Sequence, residues 1–232
     1  MSNRMHRSRP RPLAVSLVCA LALAGCSRGI RPASPAAPVA PAAAARPDSG
    51  LPPYSAADVR FMSGMIVHHA QAVLMSGWAA THGASPAVSE LCERINVSQR
   101  DEIAAMQRWL GERHQAVPDA DTMAQRTMAG IGGPMSMPEM GQPMLMPGML
   151  NGTQLSQLDS ARGPTFDRLF LTFMIQHHQG ALTMVQDLVN SPGAGRDGLV
   201  FQFASDVSAG QAAEIDRMRH MLAAQLLGGR SQ

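Results

Sequence analysis

The sequence predicts an all-α protein, a four-helix bundle built from two duplicated helical hairpins. Three observations support this prediction. A motif that begins at Asp58 recurs from Asp167 at a constant offset of 109. Apolar residues recur at helical spacing in both copies, and no segment alternates at period two for long enough to indicate a sheet. A single hairpin cannot bury its apolar stripe, so the two related hairpins should pack together.

The first hairpin is predicted from residues that start and stop helices. Ser55, followed three positions later by an aspartate, resembles a capping box and begins a helix that runs to about Thr81. Ser85-Pro86 provides an N-cap and a proline at the first helical position, which predicts a second helix to roughly His114. The short turn between them makes the two helices antiparallel neighbours.

The second hairpin is predicted from the same kinds of helix start and stop signals. Gly163-Pro164 begins a third helix that extends to about Asn190. The Pro- and Gly-containing segment 191–195 then breaks the chain, and a fourth helix follows it and stops at Gly228-Gly229.

The segment 1–25 has the pattern of a lipoprotein signal peptide. An Arg-bearing region precedes an apolar stretch, 13–25, that is too short to span a bilayer as a mature helix. The stretch ends in Leu23-Ala24-Gly25-Cys26, which resembles the lipobox of bacterial lipoproteins, where the chain is cut before a lipidated cysteine. We therefore expect lipid on Cys26 and a location in the cell envelope. The alternative is an ordinary secretory signal.

The mature chain is predicted to consist of a tether and one globular domain. Residues 26–53 contain seven prolines among Ala and Ser, a composition that favours a semi-rigid extended segment. The duplicated bundle is predicted over 54–227, with halves 54–115 and 163–227 joined by a methionine-rich segment, 116–162. With Cys26 lipidated, Cys92 has no partner for an internal disulfide, so the fold must depend on its hydrophobic core.

The charge distribution argues against nucleic acid as a partner. The formal charge of the whole chain is +2, but four of its 19 basic residues precede the first apolar run and all 17 acidic residues follow it. Residues 26–232 therefore carry 15 − 17 = −2. A nearly neutral chain without a cluster of basic residues has no surface that would attract the phosphates of DNA or RNA.

Two histidine pairs, one in each copy of the motif, are the strongest functional signal. At 100° per residue, His69 lies on one face of its helix with Met65 and Ala72, and His68 and Met75 lie on the adjacent flank. The second copy repeats this arrangement. Buried imidazoles need partners, and imidazole with thioether is a donor set that suits Cu(I), although imidazole alone also accepts Cu(II) and zinc. A structural role for satisfied histidines is the alternative, and spacing does not decide which histidine of each pair points inward.

Each second helix carries a glutamate at a matching position. The segment Gln99–Met106 is echoed by Gln211–Met218 at an offset of 112, which pairs Glu102 with Glu214. Carboxylates here could accept hydrogen bonds from imidazole N–H groups and so orient the rings. Alternatively, they are exposed helix charges.

Methionine is the outlier of the composition, with 18 residues, eight of them between 123 and 149. Pro and Gly recur every few residues there and should prevent a helix, so these thioethers are expected on a loop. Such a loop can wrap a soft monovalent ion, or its side chains can cover the bundle as adaptable packing. The candidates for metal capture on this loop are Met135, Met137, Met140, Met144, Met146 and Met149.

The chain resembles the bacterial domain-of-unknown-function family that contains the CopM-type copper-binding proteins. The resemblance rests on the doubled Met-Ile-x-His-His-x-x-Ala motif, on the downstream Gln-x-x-Glu-Ile-x-x-Met, and on Gly163-Pro-Thr-Phe-Asp167, which leads the second copy. The resemblance covers about 54–227. It implies a ferritin-like four-helix fold in the cell envelope and, in some members, Cu(I) or Ag(I) held by Met and His. The implied ligands are Met65, His68, His69, Met75, Met174, His177, His178 and Met184. One departure, Ala70-Gln71 in the first copy against Gln179-Gly180 in the second, puts the equality of the two sites in doubt.

The sequence thus predicts a non-enzymatic envelope lipoprotein that binds copper for tolerance, storage or delivery. Its expected partners are the membrane, through the lipid, the metal ion, and other copper-handling envelope proteins. A non-metal interaction lipoprotein is the alternative. A ferritin-like di-metal oxidase is less favoured because it needs Glu-x-x-His motifs, and the residues three before each histidine are Met or Ile.

Overall fold

Two helices form the first hairpin. The computed structural model describes residues 51–120, 122 and 146–228. Helix α1 spans Ala56–Gly77, a single 3-10 turn follows at Trp78–Ala80, and α2 spans Pro86–Glu112. The capping box predicted at the start of α1 is confirmed, because Ser55 Oγ accepts the N–H of Asp58 and the Asp58 carboxylate accepts the N–H of Ser55.

Three further helices follow in the second half of the chain. The short α3 spans Gly152–Ser160, α4 spans Gly163–Val189 and α5 spans Gly198–Gly228. The boundaries of α4 and α5 agree with the predicted ones within a few residues. Helix α3 was not predicted. Asn151 begins it with a reciprocal capping box, and its two leucines are buried in the core.

The described residues contain helices and irregular segments but no strand, which confirms the all-α prediction. They all belong to one compact unit. No helix among them is long and apolar enough to cross a membrane. The predicted signal peptide, Cys26 and most of the predicted tether lie outside the described residues, as do four of the loop methionines, namely Met135, Met137, Met140 and Met144.

The helices pack as two hairpins, α1 with α2 and α4 with α5, and the hairpins meet where α1 packs on α4. Helices α1 and α4 run antiparallel, because the ring of His68 near the middle of α1 faces the ring of His177 near the middle of α4, while the turn after α1 lies beside the start of α4. At that turn the Ser85 N–H donates to the Asp167 carboxylate over 3.1 Å.

A pair of buried aspartates braces the two hairpins. Asp58 and Asp167 are equivalent in the duplication, and they are 0% and 4% exposed. Asp167 accepts the N–H of Ser85, and Asp58 accepts the N–H of Gly195 over 3.1 Å. Each aspartate therefore ties the start of its own helix to the connecting turn of the other hairpin. The arrangement has the approximate two-fold symmetry expected of an internal duplication.

A buried ion pair adds a further link between the hairpins. Arg113, just after α2, donates from Nη2 to Asp197 Oδ2 over 2.6 Å, and both side chains are fully buried. The indole N–H of Trp109 donates to the same carboxylate oxygen over 3.0 Å. The guanidinium carbon also lies 4.3 Å from the centre of the Trp109 ring. The end of α2 is thereby fixed to the start of α5.

Candidate metal centre

All four histidines of the duplicated motif are fully buried. Since α1 and α4 cross antiparallel and the copies are equivalent, the two pairs meet at mid-height of the α1–α4 interface. His68 and His177 face each other with ring centroids 3.8 Å apart and planes inclined by 38°. These two histidines are therefore the members of each pair that point towards the opposite hairpin.

The other two histidines turn towards the second helix of their own hairpin. His69 Nε2 lies 2.5 Å from Glu102 Oε2, and His178 Nε2 lies 2.6 Å from Glu214 Oε2. The two carboxylates are 27% and 26% exposed, so they close the centre at the protein surface. A neutral ring that donates from Nε2 carries its lone pair on Nδ1, which is the tautomer these glutamates select.

A backbone carbonyl sets the tautomer of His68 as well. Its Nε2 donates to the carbonyl oxygen of Pro147 over 3.0 Å, since a carbonyl can only accept. The Nδ1 atoms of all four histidines are buried and make no hydrogen bond with any residue that the structure describes. Buried nitrogens without partners are costly in a folded protein. In His68, where Nε2 donates to a carbonyl and burial lowers the pKa, the free Nδ1 is the form of imidazole that binds metal.

Burial keeps the central pair neutral. It lowers the pKa of His68 from 6.5 to about 3, with further lowering from the neighbouring His69 and His178 and a partial offset from the hydrogen bond to Pro147. The pKa of His177 is also well below 6.5, first because of burial and then because of the neighbouring histidines. Neither ring is protonated at neutral pH, so neither must lose a proton before it binds a metal ion.

Methionines lie above and below this layer of histidines. The buried residues divide into two apolar clusters, and each cluster takes candidate methionines from both copies of the motif. Met75 and Met174 belong to the cluster that contains α3, and Met65 and Met184 belong to the other. The first three are fully buried, whereas Met184 is half-buried. Thioether donors therefore flank the imidazoles on both sides.

The end of the methionine-rich segment is fixed across the α1–α4 interface. We call residues 146–150 the strap. Gln71 on α1 holds it with two hydrogen bonds, donating from Nε2 to the Leu150 carbonyl over 3.0 Å and accepting the Leu150 N–H over 2.7 Å. Gln176 on α4 donates to the carbonyl of Gly148 over 3.3 Å.

The strap accounts for the departure between the two copies of the motif. Gln71 and Gly180 occupy equivalent positions in the duplication. Gln71 holds the strap, whereas Gly180 makes room for it, because a Cβ atom at Gly180 would collide with the Pro147 carbonyl oxygen. The two halves are thus inequivalent around the histidine layer. His68 is hydrogen-bonded to the strap, whereas His177 makes no hydrogen bond with it.

Two buried glutamines near the centre belong to the repeated motif but were assigned no role from the sequence. Gln99 and Gln211 are 2% and 4% exposed, and neither end of either amide has a hydrogen-bond partner within the described part of the chain. They are equivalent in the second echo of the repeat and lie one helical turn before Glu102 and Glu214. The repeated Gln-x-x-Glu spacing indicated that they are equivalent, but not that they are buried.

The donor set of the centre consists of imidazole and thioether rather than carboxylate. Within 51–120, 122 and 146–228, no group of three or more His, Cys, Asp or Glu side chains is arranged to hold a metal ion. Of the loop methionines, Met146 and Met149 lie in the strap, where Met146 is half-buried and Met149 is buried. Cys92 is buried, and burial raises the pKa of its thiol to about 12, so it offers no thiolate near neutral pH.

Comparison with known proteins gives a family match over most of the chain. The model of the family described as Domain of unknown function (DUF305) matches residues 58–222. The crystal structure of a DUF305 fragment from Deinococcus radiodurans is 25% identical, with a TM-score of 0.58, over 75% of this chain and 99% of that one. A DUF305 protein of Streptomyces coelicolor, described as a candidate secreted protein, is 26% identical with a TM-score of 0.57, over 73% of this chain and 93% of that one.

A third solved structure contains copper. CopM in its Cu(II)-bound form is 27% identical, with a TM-score of 0.51, over 72% of this chain and 96% of that one. Among curated proteins, an uncharacterized protein of Acanthamoeba polyphaga mimivirus is 38% identical over 56 residues, which is 24% of this chain. The chain spans 37% of the length of that viral protein.

Proposed function

The chain belongs to the DUF305 family, and from its buried histidine layer we propose that it binds copper. The observation that carries the proposal is the set of four buried imidazoles whose Nδ1 atoms have no hydrogen-bond partner among the described residues. An apolar core gains nothing from four such groups, because each unpaired nitrogen costs free energy. Copper held by these imidazoles together with the flanking thioethers would satisfy such nitrogens.

The donor types favour copper, and Cu(I) in particular. Imidazole binds Cu(I), Cu(II) and Zn(II), whereas thioether selects soft ions such as Cu(I) and, by the same chemistry, Ag(I). The similarity to CopM, which was solved with Cu(II), supports the choice of copper. The proposed ligands come from both copies of the motif, and they are Met65, His68, His69, Met75, Met174, His177, His178 and Met184.

Glu102 and Glu214 have an orienting role in this proposal. Each holds one imidazole by its Nε2–H and leaves Nδ1 available to the metal. Carboxylates that orient metal-binding histidines in this way typically change metal affinity 10- to 100-fold, on the order of 1–3 kcal/mol.

The scaffold is proposed to be a ferritin-like bundle that folds without metal. Four long helices from two duplicated hairpins bury two apolar clusters. A domain of this size does not need a metal ion to fold, in contrast to small zinc modules. Copper would therefore be a cargo that adds stability, held for tolerance, storage or delivery, and the protein would catalyse no reaction. An antiferromagnetically coupled di-iron centre in the purified protein would contradict this.

We further propose that the protein is anchored in the cell envelope by lipid on Cys26. The lipobox-like Leu23-Ala24-Gly25-Cys26 supports this, and the description of the Streptomyces relative as a candidate secreted protein agrees with an extracytoplasmic location. The intact mass of the mature protein should correspond to a chain that begins at a triacylated Cys26. Cys26→Ala should leave the protein uncleaved or soluble. An unmodified N-terminus at another residue would contradict lipidation.

The copper proposal is tested by competition with a Cu(I) chelator at pH 7.5 under anaerobic conditions. The parent is compared with two double variants, His69→Gln with His178→Gln and His68→Gln with His177→Gln. The exposed His220 provides a matched control, His220→Gln. We expect both double variants to lose Cu(I) affinity or stoichiometry while the control retains both. Parent-like titrations of both double variants would show that the histidine layer does not bind copper.

A further inference from the structure

One end of the bundle is the place where the chain enters the folded domain. Helices α1 and α5 begin there, and α2 and α4 end there. The Arg113–Asp197 ion pair joins the end of α2 to the start of α5. The N–H of Gly195, in the turn between α4 and α5, donates to Asp58 near the start of α1. We call this the entry end, because the residues that lead into α1 lie here.

The entry end carries most of the exposed apolar side chains. Six large apolar side chains are exposed among the described residues, and four of them belong to this end, namely Val117 (45%), Val189 (63%), Leu199 (56%) and Phe201 (61%). We call these four the apolar rim. The first follows α2, two residues after Gln115, which donates to the Tyr54 hydroxyl over 3.1 Å. The second is the last residue of α4, and the other two lie in the first turn of α5. The remaining two, Val97 and Leu227, lie in the middle of α2 and at the opposite end.

The opposite end of the bundle provides an internal comparison. At the offset of 112 between the second helices of the two hairpins, Leu199 is equivalent to Ala87 and Phe201 to Ser89. The valine between them is fully buried in both copies, which supports the alignment. The fold therefore does not require large apolar side chains at these positions. Single exposed apolar residues are ordinary, but a set concentrated on one surface typically marks a contact site.

The charges at the entry end are few and nearly balanced. Within one helical turn of this end, the exposed charged side chains of the described residues are Glu112, Asp187 and Arg196, which sum to 1 − 2 = −1. The buried Arg113 and Asp197 neutralise each other. Such a surface does not attract a strongly charged partner. It suits the boundary between lipid headgroups and acyl chains, where apolar side chains are buried beside polar groups.

The position of Cys26 selects a lipid bilayer as the partner. Cys26 precedes Leu51 by 25 residues (51 − 26), which reach at most about 90 Å at roughly 3.6 Å per residue. A lipid on Cys26 would keep the entry end within that distance of the bilayer. Tethering of this kind produces an effective concentration on the order of millimolar, so even a weak contact becomes populated.

We propose that the entry end docks on the membrane that holds the lipidated Cys26, with the apolar rim inserted among the lipid headgroups. The helices then stand on the bilayer. The rim lies within about one helical turn of the end, roughly 5 Å, which matches the roughly 5–10 Å to which interfacial apolar side chains penetrate. The proposal rests on the proposed lipidation of Cys26 for its choice of partner. Because the contact is apolar, it should persist at high salt and should not require anionic lipid.

The test uses the mature chain that begins at Cys26, coupled through this thiol to a maleimide headgroup lipid in phosphatidylcholine vesicles. The other thiol of that chain, Cys92, is buried, and burial raises its pKa to about 12, so coupling near neutral pH is directed to Cys26. Chemical attachment makes the result independent of whether cells lipidate Cys26. The intact mass of the natural protein decides that question separately.

Two matched tryptophan reporters compare the ends of the bundle. Leu199→Trp places a reporter on the apolar rim, and Ala87→Trp places one at the equivalent exposed position of the opposite end. The parent, with its own Trp78 and Trp109, gives the background. Bromine on the acyl chains quenches tryptophan that reaches them. We expect brominated vesicles to remove most of the fluorescence that Leu199→Trp adds, at low and high salt, and none of that added by Ala87→Trp.

Loss of the other rim side chains tests whether the rim causes the contact. Val189→Ser with Phe201→Ser, introduced into the Leu199→Trp chain, should abolish most of the quenching. Val97→Ser removes a similarly exposed valine from the middle of α2 and should leave the quenching unchanged. Circular dichroism checks that each variant is folded. If the double serine variant does not fold, the two tryptophan reporters alone decide the question.

Equal quenching of both reporters, or of neither, would overturn the proposal. The competing occupant of the apolar rim is a second copy of the chain. It would appear as concentration-dependent sedimentation of the uncoupled chain that the double serine variant loses, without quenching of Leu199→Trp. That result would also overturn membrane docking, and it would leave the lipidation of Cys26 and the histidine centre standing.

Discussion

Acid should destabilise the metal-free protein through the buried central histidines. The pKa of His68 is about 3 in the folded protein against 6.5 for an unperturbed histidine. Between these two values the unfolded chain binds a proton at this position and the folded chain does not. The stability is therefore fully present above pH 6.5 and is lost as the pH falls from 6.5 towards 3.

The size of the loss follows from the pKa difference. At pH 5.0 the unfolded-state pKa lies 1.5 units above the pH (6.5 − 5.0), and each unit corresponds to about 1.4 kcal/mol, so His68 alone should cost about 2 kcal/mol. His177 acts in the same direction, since its pKa is lowered by the same burial. For a protein of ordinary stability, about 5–15 kcal/mol, this is a substantial fraction of the total.

The assay is urea unfolding at pH 7.5, 6.0 and 5.0, followed by circular dichroism, with metal removed. His68→Gln keeps a donor for the Pro147 carbonyl but cannot titrate, so the fall in its unfolding free energy between pH 7.5 and 5.0 should be smaller than that of the parent by about 2 kcal/mol. His220→Gln, at an exposed position, should behave like the parent. An equal pH dependence in the parent and His68→Gln would refute the inference that this ring is buried and neutral.

Three further outcomes are expected. Glu102→Gln combined with Glu214→Gln should weaken copper binding by roughly 10- to 100-fold in chelator competition, because the imidazoles lose their carboxylate acceptors, whereas the exposed Glu90→Gln should have no effect. Asp197→Ala should lower the unfolding free energy by about 3–5 kcal/mol, since it removes the only fully buried carboxylate that pairs with the Arg113 guanidinium in the described part of the chain and leaves the more distant Glu112. Asp216→Ala at an exposed pair should cost below about 1 kcal/mol. Copper at about 100 times its Kd should raise the unfolding free energy by roughly 2.7 kcal/mol, visible as a higher Tm by calorimetry, and an unchanged Tm would contradict binding to the folded state.

The long helices could be predicted because their determinants are local. Each of three helix starts is determined by residues that are close together in the sequence, and each begins a helix in the structure. They are the Ser55 capping box, the proline at position 86 and Gly163-Pro164. Helix α3 was missed because its nine residues are short for a periodic signal. Its stability comes from leucines that pack on distant parts of the core.

The histidine pairs were found from the repeat, but their division of roles was not. Both histidines of a pair are compatible with an inward direction, and the choice between them depends on how α1 crosses α4, which no local pattern encodes. The crossing brings His68 to His177 and leaves His69 and His178 to the glutamates of their own hairpins.

The position of the strap could not be predicted from sequence patterns for a similar reason. Gln71 on α1 binds Leu150, which is distant in the sequence, and Gly180 accommodates a carbonyl from Pro147. From the sequence, these two positions were simply the place where the copies of the motif differ. The structure shows that the difference results from a segment that crosses the interface on one side only.

X-ray absorption at the copper K-edge of the mature protein, loaded with one equivalent of Cu(I), tests the central claim most directly. The account predicts nitrogen scattering with the multiple-scattering pattern of imidazole. That pattern should be lost in a variant in which His68, His69, His177 and His178 are all replaced by Gln. A parent spectrum without any imidazole contribution, identical to that of the histidine-free variant, would contradict a copper centre built on the histidine layer.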